Sequence, residues 1–364
     1  MIFILLLIFI TFSCEKDSKI KEVNPVPVPI PVILPEGKSV FIDSLLLQPL
    51  NSDVLKEFYL ASGFKSVWQS KNNRTNILEQ ISNSENEGLS PENYNVNKLQ
   101  KFEKNYAALN ENEKANYDIL LTHSLQKYIL HLTNGQINPR NLYQNWDLKR
   151  NEIDVNETLA QFLKSDALAY KIESLKPNHV VYESLKKALK IINSFPKDDF
   201  TAITITNKIV LNDTNPSLID IKKRLIYWKD MKAKDSISDI YDIETNEAMR
   251  NFQTRHGLAA DGVIGKGTIE TLNFSKRQRK EQIIANLERW KWFPREMGKE
   301  YIIINIPDYK LSLVKDNDTI RTHKVIIGRP KRKTPVLSSK LTQVVFNPTW
   351  TVPPTILRRL QFSW

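Results

Sequence analysis

Residues 248–273 read AMRNFQTRHGLAADGVIGKGTIETLN, and this stretch decides the fold of a small part of the chain. Apolar side chains recur at helical spacing on both sides of a glycine-rich centre, in which Gly257 is suited to a helix C-cap and Asp261-Gly262 to a turn. The residues expected to pack the two helices are Ala248, Met249, Phe252, Thr268, Ile269 and Leu272. The pattern predicts a compact helix–turn–helix core.

The flanking regions differ in periodicity. From Ser39 to about Phe200, apolar residues recur at i, i+3 and i+4, which predicts several antiparallel helices. Beyond a linking helix at Ile283–Trp292, segments rich in β-branched residues predict an antiparallel β meander. The expected strands are Tyr301–Ile306, Lys310–Val314, Arg321–Ile327 and Leu341–Phe346. The fold class is therefore multidomain α+β.

The N-terminus has the pattern of an export signal. Ile2 to Phe12 is an unbroken apolar run, too short for a bilayer span of about 20 residues. Ser13-Cys14 follows, and a small residue before a cysteine resembles the lipobox of bacterial lipoproteins, which implies lipidation of Cys14. A plain secretory signal with an incidental cysteine is the alternative. The alternating prolines of Pro25–Pro35 predict a stiff polyproline II spacer.

The composition narrows the class of partner. The 52 Lys and Arg against 41 Asp and Glu give a net charge of +11. That balance suits an acidic partner such as carboxylate-bearing cell-wall peptides, or it serves solubility alone. Nucleic acid is disfavoured, because the chain has an export signal and lacks a nucleic-acid-binding motif. Cys14 is the single cysteine, so an intrachain disulfide is impossible and no metal site or cofactor is predicted.

Three groups of motifs together resemble the large periplasmic L,D-transpeptidases. In the helical region the matching residues include Gly63-Phe64, Val67-Trp68, Glu87–Pro91, Asp118, Gly135 and Asn138-Pro139. Residues 248–273 look like a peptidoglycan-binding module. The third group resembles the start of the YkuD-type catalytic domain and includes Glu288–Trp290, Asn305–Pro307, Gly328, Thr334-Pro335, Phe346–Pro348 and Val352–Pro354.

The resemblance implies acyl transfer between peptidoglycan stem peptides through a cysteine thioester. That chemistry needs a thiolate, a histidine base and oxyanion donors, which the family supplies from a His-Gly stretch and a Ser-His-Gly-Cys segment. Neither segment occurs in residues 275–364, the part that resembles the catalytic domain, and Cys14 is assigned to the anchor. We therefore expect a chain truncated before its catalytic motif and inactive as a fragment, with no catalytic residues. The alternative is a non-catalytic peptidoglycan-binding lipoprotein.

The expected organisation follows. The predicted segments are a lipoprotein signal peptide at 1–14, a Pro-rich spacer at 15–38, a helical scaffold at 39–212, a three-helix peptidoglycan-binding module at 213–274 and an incomplete, β-rich catalytic domain at 275–364. Gln253, His256 and Asp261 are the candidate peptidoglycan-binding residues, and a structural copy of the module that binds nothing is the alternative. The expected partners are peptidoglycan glycan and stem peptides, and a membrane reached through the lipid anchor on the periplasmic side of the envelope.

Overall fold

The computed structural model describes residues 38–164, 168–349 and 351–360. The predicted signal peptide, Cys14 and most of the spacer lie outside these residues. In chain order the helices are α1 Asp53–Ala61, α2 Lys71–Ser82, α3 Val96–Lys104, α4 Glu111–Asn134, α5 Pro139–Leu142, α6 Val155–Leu163, α7 Leu168–Ser174, α8 Val180–Ser194, α9 Ser217–Tyr227, α10 Ile243–Arg255, α11 Lys266–Leu272, α12 Lys276–Lys291 and α13 Pro354–Leu360. Among the described residues, no helix is long and apolar enough to cross a bilayer.

The longest helix, α4, has sequence-encoded ends. Asn110 caps its N-terminus by accepting from the backbone N–H of Glu113, while the Glu113 side chain accepts from the backbone N–H of Asn110. Gly135 ends the helix at a φ of +73°. A Cβ at Gly135 would collide with the side chains of Glu288 and Trp292, so this position requires glycine for conformation and for close packing of α12.

The helical part contains two hydrophobic cores. The first is built from residues between Ile42 and Ile172, around the buried side of α4. The second runs from Tyr182 to Leu287 and combines α8 with α9, α10, α11 and α12. Packing therefore divides the chain between Leu175 and Tyr182. The sequence-based boundary at residue 212 stays a prediction. In the structure, α8 contributes its buried residues to the second core and not to the first.

A buried ionic cluster joins the two cores. The carboxylate of Glu87 accepts from the Tyr182 hydroxyl at 2.7 Å and pairs with Lys176 at 3.0 Å and Lys186 at 3.3 Å. Burial acts to raise the pKa of Glu87, but the two lysines outweigh it, and the pKa is lowered overall. Nζ of Lys291, on α12, donates to the Glu87 carbonyl at 2.8 Å. Removal of the Glu87 carboxylate, or of the lysines that pair with it, would leave a buried charge without compensation.

The β region forms a small antiparallel sheet in the order β1 Glu300–Asn305, β2 Lys310–Lys315 and β3 Asp318–Lys324. Ile302 pairs with Leu313 and Leu311 with His323, and a bulge lies between Leu313 and Val314. The sheet confirms the predicted α+β class. The prediction of a fourth strand at 341–346 was wrong: this stretch makes no ladder hydrogen bonds within the described chain, and β-branched composition cannot form a strand without a partner.

The segment after the sheet returns to residues 145–147, beside a third and smaller hydrophobic cluster that contains Trp146, Leu148 and Trp292. Val336 accepts from the N–H of Asp147 at 2.8 Å and donates to the carbonyl of Asn145 at 3.0 Å. Beside this pairing, Trp146 packs edge-on against Trp292, with ring centroids 5.5 Å apart. These contacts attach the sheet-bearing region to the scaffold.

Candidate functional site

Gln253 organises the centre of the predicted module. The side chain lies on α10 and is 1% exposed. Its Oε1 accepts from the N–H of Gly262 at 2.9 Å, and its Nε2 donates to the carbonyl of Val263 at 3.0 Å and to Oδ1 of Asp261 at 3.2 Å. A buried amide must satisfy both its donor and acceptor sides, and here it does so by fixing the turn that follows the helix.

Asp261 sits on the exposed side of that turn. Oδ1 accepts from the backbone N–H of Val263 at 2.9 Å as well as from Gln253. The Val263 hydrogen bond is the main cause that lowers the pKa of Asp261, so the side chain is an anion at neutral pH. The structure thus brings Gln253 and Asp261 together, with one inside the module and the other at its surface.

Two further contacts hold the turn from behind. The hydroxyl of Tyr241 donates to the carbonyl of Gly262 at 2.5 Å, and a guanidinium nitrogen of Arg250 donates to the carbonyl of Ala260 at 2.6 Å. Gly262 has a φ of +74°, and a Cβ there would strike the side chain of Asn246. The sequence had predicted the Asp-Gly turn. Tyr241 and Arg250 were missed, because neither lies at a spacing that links it to the turn.

His256 occupies a different surface of the module, at the C-terminal end of α10. Its ring lies 4.3 Å from the Phe252 ring, and Nδ1 lies 3.2 Å from a guanidinium nitrogen of Arg279. Burial, together with the charges of Arg279 and Arg255, lowers the pKa of His256 to about 3, so the imidazole is neutral at physiological pH. Its Nε2 is buried with no partner among the described residues.

Arg279 shows that this surface extends beyond residues 213–274. The side chain comes from α12, donates to the carbonyl of Thr271 at 2.8 Å and lies 4.7 Å over the Trp228 ring. Burial lowers the pKa of Arg279 to about 10, which leaves the guanidinium charged. Ligand contact by Gln253, His256 and Asp261 stays a prediction, and the structure shows that each has a role within the module.

Three family models match this chain in succession. One described as "Scaffold domain" matches residues 53–189, one described as "Putative peptidoglycan binding domain" matches residues 214–272, and one described as "L,D-transpeptidase catalytic domain" matches residues 299–363. In three successive regions the chain therefore resembles the parts of an L,D-transpeptidase.

A curated relative shows the same resemblance to L,D-transpeptidases. A protein of Haemophilus influenzae named "Putative L,D-transpeptidase" is 35% identical over 116 residues. The matched part covers 30% of this chain and 23% of that relative. The chain therefore aligns with less than a quarter of the L,D-transpeptidase that it resembles.

The region that matches the L,D-transpeptidase catalytic domain contains β1, β2 and β3. His323 lies on exposed β3, where its backbone faces Leu311. Within the described ranges no cluster of three or more His, Cys, Asp or Glu could hold a metal ion. Cys14, the predicted lipidation site, is outside the described residues.

Proposed function

We propose that this L,D-transpeptidase-family chain binds peptidoglycan in the bacterial envelope, on the periplasmic side of a membrane to which Cys14 anchors it. The observation that carries the proposal is the turn at residues 257–263, which Gln253 holds from inside and which presents Asp261 to solvent. A fixed turn with an exposed anion suits a ligand that offers amines, amides and hydroxyls, as cell-wall glycopeptides do.

The basic charge supports the same partner. A chain with a net charge of +11 attracts the carboxylates of stem peptides, and that attraction weakens as salt screens it. Arg255, Arg279 and His256 form a second polar surface on the module, but the Arg255 guanidinium is already paired with Asp230 at 2.5 Å. We therefore place the primary contact at the Asp261 turn.

The proposal separates binding from catalysis. Thioester exchange needs a sulfur nucleophile beside a base, and the only cysteine among these 364 residues is Cys14, which the proposal assigns to the lipid anchor. In this polypeptide the proposed activity is therefore adhesion to peptidoglycan, and acyl transfer belongs to relatives that carry the catalytic cysteine. The second candidate function, a dedicated non-catalytic peptidoglycan-binding lipoprotein, rests on the same module.

Co-sedimentation with purified sacculi tests the proposal. Deletion of residues 213–274 is a poor control, because the second core would lose most of its residues. Asp261→Asn is better, since the amide oxygen can still accept from Val263 while the charge is lost. We expect the wild-type chain to co-sediment and Asp261→Asn to bind several-fold more weakly.

Asp235→Asn provides the matched control, because Asp235 is also exposed and forms no ion pair among the described residues. We expect this variant to bind as the wild type does. Absence of wild-type co-sedimentation would refute the proposed function. Equal binding by Asp261→Asn and Asp235→Asn would refute the role of the turn.

A further inference from the structure

A cavity of about 330 Å³ lies between the first core and the segment that follows α12. Its walls combine Ile153 and Leu175 with polar side chains from α4, α6, α7 and the 151–153 loop. This volume is at the small end of ligand sites, which run from about 300 to 1,000 Å³. The volume of the cavity is sufficient for an amino-acid-sized group.

Two residues that line this cavity each carry a buried polar atom with no partner among the described residues. These atoms are the hydroxyl of Thr133, whose residue is 6% exposed, and the NH1 nitrogen of Arg295. The NH2 nitrogen of Arg295 is used, because it donates to the carbonyls of Leu132 at 2.8 Å and Thr133 at 2.6 Å. Buried donors are normally satisfied, so these atoms mark a place for an acceptor from outside the described chain.

The charges at the cavity define that acceptor. Arg295 forms no ion pair within the described residues, and a largely buried guanidinium is best compensated by a carboxylate. Burial lowers the pKa of Arg295 to about 10, so the cation persists at neutral pH. At the rim stands Glu152, an exposed carboxylate that is also outside every ion pair of the described chain. A rim carboxylate repels a second anion and attracts an ammonium group.

We infer that this cavity binds an amino-acid-like group, with its carboxylate on Arg295 and Thr133 and its ammonium group toward Glu152. A free amino acid and the unlinked end of a diamino-acid side chain in a peptidoglycan stem peptide share this chemistry, whereas the C-terminal residue of such a peptide offers the carboxylate alone. The stem-peptide source rests on the proposed function, whereas the chemistry of the cavity does not.

The position of the cavity gives binding there a structural consequence. Asn151 borders it, and its amide donates to the carbonyl of Thr133 at 3.1 Å and to those of Lys291 and Phe293 at 3.3 and 3.2 Å. The same small region therefore joins α4 to the end of α12 and to the segment that leads into β1. An occupant would reinforce the junction between scaffold and sheet.

Isothermal titration calorimetry on the full 364-residue chain, kept soluble in detergent, tests the inference. The probes are D-alanine, which carries both charges, acetate, methylammonium, and a stem tetrapeptide. We expect saturable binding of D-alanine tighter than about 10 mM, weaker binding of acetate and none of methylammonium. If the stem peptide is the source, the tetrapeptide binds more tightly than D-alanine.

Two variants separate the proposed contacts. Thr133→Val removes a hydroxyl that bonds to nothing in the described protein, so the thermal midpoint should stay the same or rise while D-alanine binding weakens about fivefold to tenfold. Glu152→Gln should weaken D-alanine binding, which loses the attraction for its ammonium group, and should leave acetate binding unchanged or slightly tighter. Glu79 is an exposed carboxylate on α2, and Glu79→Gln is the control that should change the binding of neither D-alanine nor acetate.

The outcomes distinguish this inference from the proposed function. Failure of both D-alanine and the tetrapeptide to bind, or binding that neither Thr133→Val nor Glu152→Gln changes, would overturn the cavity assignment even if the chain co-sediments with sacculi. Saturable D-alanine binding by a chain that does not co-sediment with sacculi would support the cavity assignment and refute the proposed function. Tetrapeptide binding equal to or weaker than D-alanine binding would assign the site to free amino acids.

Discussion

Replacement of Asp118 by alanine should remove a carboxylate that accepts three hydrogen bonds in the first core. Oδ2 of Asp118 accepts from the backbone N–H groups of Val67 at 2.9 Å and Trp68 at 2.8 Å, and Oδ1 accepts from the Tyr59 hydroxyl at 2.7 Å. These residues are at most 3% exposed. In the variant, water therefore has little access to the donors that lose their partner.

The magnitude follows from the number of donors left unpaired. The Tyr59 hydroxyl keeps Thr122 as a partner at 2.8 Å, but the two backbone N–H groups keep none. Each unsatisfied buried donor costs about 1–3 kcal/mol. Part of that cost is offset, because a buried carboxylate is also removed. We expect Asp118→Ala to lower the free energy of unfolding by about 3 kcal/mol, a large share of a typical total of about 5–15 kcal/mol.

Asp118→Asn is the matched variant. The amide oxygen can take the place of Oδ2 and accept from Val67 and Trp68, while the amide nitrogen donates to Tyr59, whose own hydrogen then turns to Thr122. We expect a loss of about 1 kcal/mol, because the donors of Val67, Trp68 and Tyr59 all keep an acceptor and only the second amide N–H of the asparagine lacks one.

The wild type and Asp118→Asn should differ in how their free energy of unfolding depends on pH. Burial raises the pKa of Asp118 to about 7, against the lowering effect of its hydrogen bonds from Trp68, Tyr59 and Val67. A carboxyl group with a raised folded-state pKa favours folding below its unfolded pKa and loses that contribution as pH rises through the folded value. The stability of the wild type relative to Asp118→Asn should therefore fall between about pH 4 and pH 7 and stay level above.

Urea unfolding followed by circular dichroism, on a soluble version that begins at Lys38, measures these differences at each pH. Subtracting the free energy of unfolding of Asp118→Asn from that of the wild type at each pH removes the contribution of other titrating groups. The reasoning fails if Asp118→Ala and Asp118→Asn are equally destabilised, or if the difference between wild type and Asp118→Asn does not change with pH.

Two other predictions concern the module and the chemistry. Gly262→Ala should lower the free energy of unfolding by at least about 1 kcal/mol, because φ is +74° and Asn246 blocks the Cβ, whereas Gly265→Ala, with nothing within 4 Å of its Cβ, should be close to neutral in thermal melts. Incubation of the 364-residue chain with a carbapenem should leave its intact mass unchanged, since Cys14 is its only cysteine and is assigned to the anchor; a covalent adduct would contradict that.

Much of the helical architecture is legible in the sequence. Capping residues such as Asn110 and Gly135 act within one turn of chain, and apolar periodicity shows which face of α4 is buried. The contact that joins α8 to the first part of the chain was not predictable in this way. Tyr182 reaches Glu87 across 95 residues, and a local pattern contains no information about such a contact.

The sheet shows the limit of composition. Segments at β1, β2 and β3 are joined by short turns, so each finds a hydrogen-bonding neighbour at once. The 341–346 segment has similar composition, but a strand is a property of a pair, and sequence periodicity describes only one member. The pairing of Val336 with Asn145 and Asp147 was missed for the same reason, as the partner segments are about 190 residues apart.

The candidate site illustrates why a motif can identify a family more readily than it identifies contact residues. Gln253 stood out because it forms part of a recognisable motif, and the structure shows that its amide is used up in fixing Gly262 and Val263. A residue with that duty is constrained by the turn whether or not a ligand is bound. Groups that meet a ligand need spare hydrogen-bonding capacity, and such capacity becomes visible only after the internal bonds have been assigned. On that criterion, the unpartnered hydroxyl of Thr133, NH1 of Arg295 and Nε2 of His256 are stronger evidence of recognition than the amide of Gln253.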